Sequence, residues 1–183
     1  MTATHLGHPI LHFLNTVCDD GKQRHKNSFR DAGALHHVLV GAGLIEATQP
    51  VPDRGQVQSL LLLREAAYAV LSAVAAAQTP DREEALMLET AIKAAVQDAR
   101  LQFTAGRFGV SAGPLGGIHD QLALSLLDLL RADDLGRLRE CQRCTHLFID
   151  NGRGPGRRWC AMSRCGNRAK AATFRQRRRA TSP

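Results

Sequence analysis

This chain is short of aromatic residues and of uninterrupted apolar runs, and each shortage excludes something. Tryptophan and tyrosine occur once each, and aromatic residues make up only 4% of the chain. The 44% hydrophobic fraction therefore rests on Leu and Ala. Both give up little side-chain freedom on entering a helix, so the composition points to a mainly helical protein. The longest apolar stretch, residues 59–77, is broken by Arg64-Glu65, which argues against a membrane span. Residues 1–9 lack the basic and apolar regions of an export signal. No Ser/His/Asp set, phosphate-cradling glycine loop or acid pair stands out, so the expectation is a protein that is not an enzyme. No repeat, low-complexity tract or Ser/Gly linker divides the 183 residues, a length that suits one domain or one domain with a small appendage.

What the chain does have is a cysteine pattern. Cys141 and Cys144 form a C-x2-C pair, Cys160 and Cys165 form a C-x4-C pair, and fifteen residues separate the two pairs. Four thiolates at that spacing can surround one structural Zn²⁺ tetrahedrally. The fifth cysteine, Cys18, has no evident partner. This usage fits zinc chemistry in the cytoplasm better than a secreted disulfide framework.

Charge divides at the same place. Residues 136–183 hold thirteen Lys or Arg against two acids, a net of +11, whereas residues 1–135 have a net of −4. An acidic body with a basic head suggests a polyanionic partner, DNA first and an anionic membrane second.

In the body, Pro9–Val17 reads as a short helix with Pro9 in its first turn. Asp31 suits the N-cap of a helix whose apolar face is Leu35, Val38, Leu39 and Ala42, stopped by Gly43. Residues 56–77 make a long helix, with Val57, Leu60, Leu61, Ala67, Tyr68 and Leu71 apolar on one side. Thr79-Pro80-Asp81 starts another that reaches about Arg100. Residues 101–104 and 107–110 form a β-hairpin, and the last body helix covers residues 118–131. Asn15 and Thr16 interrupt an apolar run. They are either buried against backbone or line a ligand pocket. His5, His8 and His12 recur at i, i+3 and i+7, but Pro9 breaks the pattern and no carboxylate sits among them, which disfavours a second metal site.

In the basic part, Cys141 to Cys144 reads as a metal-binding knuckle. Residues 146–150 and 157–160 read as paired strands, joined by a glycine-rich tip at residues 151–156. Cys165 enters a helix reaching about Arg178. Knuckle, hairpin and helix are the order of a treble-clef zinc site. With no linker before it, the module should pack on the last body helix, with Leu135 and Leu138 against the body.

The run from Arg157 to Lys170 (RRWCAMSRCGNRAK), after the Cys141/Cys144 knuckle and Phe148-Ile-Asp150, closely resembles the signature of CGNR zinc-finger proteins. Phe13-Leu-Asn-Thr16, Gly43-Leu44-Ile45 and Leu63-Arg64-Glu65-Ala66 resemble the ABATE domain, a stress-induced transcription regulator domain that precedes this finger. The resemblance implies a helical domain over residues 1–135 and a zinc finger over residues 136–183. It places the zinc ligands on Cys141, Cys144, Cys160 and Cys165, and implies DNA binding through basic residues.

On the residues themselves, Arg164, Arg168, Arg175 and Arg179 lie close to one helix face, widened by Lys170, Arg177 and Arg178. Arg157 and Arg158 approach from the hairpin. Asn167 and Arg168 are of the types that read adenine and guanine edges. Asn167 can equally cap the helix, and Arg168 or Arg143 can offset the charge of the zinc–thiolate cluster. The leading expectation is a cytoplasmic, zinc-containing DNA-binding regulator whose body senses a small-molecule effector or forms a homodimer. The alternative is a small-molecule-binding or protein/RNA-interaction protein whose zinc module is a docking element.

Overall fold

In a computed structural model, which describes residues 6–18, 21–104, 107–113, 116–152 and 156–180, the chain is mainly helical. The helices are α1 (Ile10–Leu14), α2 (Ala32–Gly41), α3 (Arg54–Ala75), α4 (Arg82–Gln97), α5 (Ile118–Leu130) and α6 (Asn167–Ala180). Two antiparallel hairpins accompany them. One pairs β1 (Arg100–Thr104) with β2 (Arg107–Ser111), and the other pairs β3 (Leu138–Glu140) with β4 (Leu147–Ile149).

Polar start signals explain the helix limits. Asp31 accepts the Ala34 N–H at 2.8 Å, and Asp81 accepts that of Glu83 at 2.8 Å. Asp53 accepts the Gln56 N–H at 2.9 Å while Gln56 Oε1 accepts the Asp53 N–H at 2.9 Å. This reciprocal box starts α3 at Arg54, two residues ahead of the expected Gln56. Past the end of α2, Gly43 takes a φ of +70°, as expected of a stop. α4 stops short of Arg100 because that residue opens β1.

α3 is the centre of the body. Its Leu60, Leu63, Ala67, Val70 and Leu71 share one core with Leu11 and Leu14 of α1, Leu35 and Leu39 of α2, and Leu122, Leu126 and Leu129 of α5. Each fully buried Leu contributes roughly 1.5–3 kcal/mol. α3 is also the described helix long and apolar enough to cross a bilayer. It packs against α1, α4, α5 and β3, however, and Arg64 lies buried within it, paired with Glu65 at 2.7 Å. It is a core helix.

The C-terminal module joins this core by a different route from the one expected. β3 packs on α3 and β4 on α1, with Leu138, Leu147, Phe148 and Ile149 buried in the shared core. Leu138 is buried and Leu135 half-buried against the body, as their position ahead of the knuckle suggested. Beyond β4, the Leu6 carbonyl accepts the Ile149 N–H at 2.8 Å. Gly7 permits this approach: its φ is +94°, and a Cβ there would lie 2.5 Å from Ile149 Cβ.

Candidate metal centre and basic surface

The knuckle is the turn of the β3–β4 hairpin. Glu140 pairs with Leu147, and the Cys141 N–H donates to the His146 carbonyl at 2.9 Å, so Cys141 and Cys144 both point into the loop between the strands. This corrects the expected pairing of residues 146–150 with 157–160. Residues 157–160 form no strand, and the partner of β4 is β3. The middle of the glycine-rich tip, residues 153–155, lies outside the described residues.

Residues 156–160 are instead fastened by side chains. The buried Asp150 carboxylate accepts the Gly152 N–H at 3.1 Å and the Arg157 N–H at 2.9 Å. Those two backbone donors, Arg157 first, hold its carboxyl below the usual carboxylate range. The Gln142 N–H reaches the Arg158 carbonyl at 3.0 Å. Arg157 lies over the Phe148 ring at 4.4 Å, and its guanidinium donates to the Trp159 carbonyl at 2.8 Å and to that of Cys160. Cys160 is thus delivered beside the knuckle, and Cys165 follows from a π-helical turn (Met162–Gly166) that runs into α6.

The four sulfurs meet. All lie within 4.8 Å of one another, and the Cys144–Cys160, Cys160–Cys165 and Cys144–Cys165 separations are 3.7, 3.7 and 3.6 Å. A tetrahedron with Zn–S bonds of ~2.3 Å has edges of ~3.8 Å, so the donor set fits one zinc ion. All four cysteines are buried. Hydrogen bonds from Cys144 and then Cys160 hold the Cys141 thiol far below its ordinary range, while Cys144 is pushed far up, chiefly by Cys141. Cys160 is pushed up to about 12, again chiefly by Cys141. Four thiolates at these separations repel one another, so a cation at the centre favours their full ionisation. Backbone N–H groups of Cys160 and Arg143 also reach Cys141, and that of His146 reaches Cys144. Arg143 thus serves the cluster through its backbone. Four cysteine ligands leave no open position for water, so the ion is structural and supplies folding energy.

A charged network ties this centre to α3. Glu140, next to Cys141, accepts from Lys22, from Tyr68 Oη at 2.9 Å and from Ser72 Oγ at 2.6 Å. Lys22 Nζ also donates to the Cys141 carbonyl at 2.6 Å. Burial pushes the Glu140 carboxyl up, but Lys22, Ser72 and Tyr68 outweigh it and hold it below the usual range. Arg24 donates to Glu65 at 2.7 Å, to the Leu14 carbonyl at 3.0 Å and to Thr145 of the knuckle at 3.4 Å, with its guanidinium 3.7 Å from the Tyr68 ring centroid.

Two stretches of the chain match known families. Residues 7–133 match the family described as "ABATE: Putative stress-induced transcription regulator", and residues 137–178 match the CGNR zinc finger. The chain belongs to the ABATE family. It is an ABATE protein with a C-terminal CGNR zinc finger, as its motifs suggested. No curated protein matches it.

In this ABATE chain the expected contact residues divide into two groups. Lys170, Arg175, Arg177 and Arg178 are exposed on α6, whose principal contact is with the π-turn that starts it. Arg168 is exposed on its first turn. Arg158 is exposed too, with its Nε on Gln142 Oε1 at 2.8 Å. Arg157 stands apart from them: half-buried and bonded to the Trp159 and Cys160 carbonyls, it holds the loop that carries a ligand. Asn167 is exposed and turns its amide back to the Ser163 carbonyl at 3.3 Å. Phe174 is 61% exposed, with the Arg178 guanidinium 5.9 Å from its ring centroid.

The remaining polar candidates are structural. Asn15 spends its amide on Leu147, donating to the carbonyl and accepting the N–H, both at 2.9 Å. Thr16 Oγ1 donates to the Phe13 carbonyl at 2.7 Å and accepts from Arg64 at 2.9 Å. Thr16 borders neither described cleft, and Asn15 only edges a cleft of about 160 Å³ with its amide already bonded. The assignment of this pair to a ligand pocket gives way to packing. His8 bonds Asp128 at 3.0 Å, and the only metal-ligating cluster among the described residues is the cysteine quartet; His5 lies outside them.

Sequence reasoning missed Lys22, Arg24, Glu140 and Asp150 as positioning residues. Only Asp150 had a readable signal: Asp-Asn-Gly after a strand is a side-chain-capped turn.

Proposed function

We propose that this protein is a DNA-binding regulator of transcription, acting in the cytoplasm and not an enzyme. Its zinc module would present α6 to duplex DNA, and its helical body would sense an effector or join two copies. The observation that carries this reading is the placement of charge. From Asn151 to the C-terminus there is no Asp or Glu, and Lys170, Arg175, Arg177, Arg178 and Arg179 are exposed on a helix that projects from the zinc centre. Cations fixed on a projecting helix suit a phosphate backbone, and a closed tetrathiolate site fixes the helix start.

Phe174 favours a second reading. An exposed aromatic ring beside Arg178 can stack on an unpaired base, as RNA-binding surfaces do. Fluorescence anisotropy with labelled duplex DNA, single-stranded DNA and RNA of equal length, each titrated across several salt concentrations, separates the two. The DNA reading expects tightest binding to the duplex and a steep loss of affinity with salt. Preference for single-stranded RNA would replace it with the second.

A further inference from the structure

A cleft of about 1050 Å³ lies away from the zinc centre, between α5, β2 and the segment after α2. That is the upper end of the range for small-molecule sites. Leu44, Ile45 and Leu124 give it apolar walls. Gln102, Ser111, Gln121 and Ser125 also line it, and none of these side chains has a hydrogen-bond partner among the described residues. Gln49 Oε1 is buried in the same wall without a partner, while the Gln49 backbone carbonyl is held by His36 Nε2 at 2.9 Å. Convergent polar side chains with unfilled hydrogen-bonding capacity on a partly apolar concave surface are the composition of a ligand site.

Charge narrows the ligand. Glu46, Asp128 and Arg131 line the cleft. Glu46 accepts the Thr48 hydroxyl at 3.3 Å and Asp128 is bonded to His8 at 3.0 Å, but Arg131 has no ion-pair partner among the described residues. Two acids to one base disfavour a dianion such as a phosphate ester. The unpaired guanidinium nevertheless suits a carboxylate. A molecule carrying one carboxylate and one ammonium satisfies both conditions.

We propose that this cleft binds a zwitterion of the amino-acid class, with its carboxylate on Arg131, its ammonium toward Glu46 and its side chain on Leu44, Ile45 and Leu124. α5 leads from the cleft through Leu135 to Cys141, so occupancy can act on the module that carries α6. That last step rests on the reading of the body as a sensor, whereas binding itself does not.

The test uses the full-length, zinc-loaded chain without DNA, titrated calorimetrically with the standard free L-amino acids. Any amino acid that binds is then compared with its deaminated and decarboxylated analogues; for L-leucine these are 4-methylpentanoate and 3-methylbutylamine. At least one amino acid should bind saturably with a Kd below about 10 mM, and each analogue about tenfold more weakly or worse. Arg131→Ala should weaken binding about tenfold or more, and Gln121→Ala by less, with zinc content and Trp159 fluorescence unchanged. The proposal is overturned if no amino acid binds, if Arg131→Ala binds as tightly as the parent, or if the bare carboxylate matches the amino acid. Any of these results would leave the DNA reading standing, because no DNA is present.

Discussion

Asn15 pairs with Leu147 as a neighbouring strand would, donating to its carbonyl and accepting its N–H, both at 2.9 Å. A side chain at the C-cap of the first helix thereby completes the hydrogen bonding of the strand that follows the zinc knuckle. Asn15→Ala would leave two buried backbone groups unpaired, at a cost of about 2–4 kcal/mol. Asn15→Asp should also destabilise, because a carboxylate would face the Leu147 carbonyl. Urea unfolding midpoints check both; a change in Asn15→Ala within about 0.5 kcal/mol of the parent would remove the pairing from the account.

The zinc centre and the helical body should unfold together. The four cysteines share a core with Leu11, Leu60 and Leu122, and Glu140 is bonded to Tyr68 and Ser72 of α3. Trp159, the only tryptophan, reports on the module, whereas far-UV circular dichroism reports mainly on the body. The two signals should give one coincident transition in the zinc-loaded protein. Cys160→Ser should lose stoichiometric zinc and lower the midpoint seen by both probes. Two well-separated transitions would show that the module folds independently.

Tyr68 gives the network a signature in alkali. Burial first, and the charge of Glu140 second, push its hydroxyl up to about 12, from an ordinary value of about 10. A raised acid keeps its stabilisation below about pH 10 and loses it as the pH climbs toward the folded value. Tyr68→Phe has no such loss. The stability advantage of the parent over Tyr68→Phe should shrink by about 1 kcal/mol between about pH 9 and pH 11. That is well under the ~2.7 kcal/mol of two full units, since the ring is only half-buried. Parallel stability curves for the two proteins over that range would contradict the contact with Glu140.

Much of this was legible beforehand, for local reasons. Asp31, Asp81 and Gly43 act within a few residues, so helix limits could be read from them, and the cysteine spacing carries its own chemistry. The failures were long-range. Nothing near Glu140 says that Lys22 and Tyr68 will converge on it from 118 and 72 residues away. β4 was paired with the wrong segment because residues 157–160 have a strand-like composition, whereas Asp150 and Arg157 hold them as a fastened loop. Sequence likewise shows the charge of Arg157 but not that two carbonyls accept from it. Arg64 read as a break in an apolar run, yet it is buried and bonded to Thr16, Asn27 and Glu65.

The most direct test of the central claim is the salt dependence of duplex binding with Arg175, Arg177 and Arg178 changed together to Ala. All three are exposed on α6, so zinc content and folding should be unchanged. Each phosphate contact contributes about 0.9 to the slope of log K against log[salt]. The account predicts weaker binding to every duplex sequence and a slope flatter by about 2–3 units. Unchanged affinity and slope at low and moderate salt would show that α6 is not the DNA-contact surface.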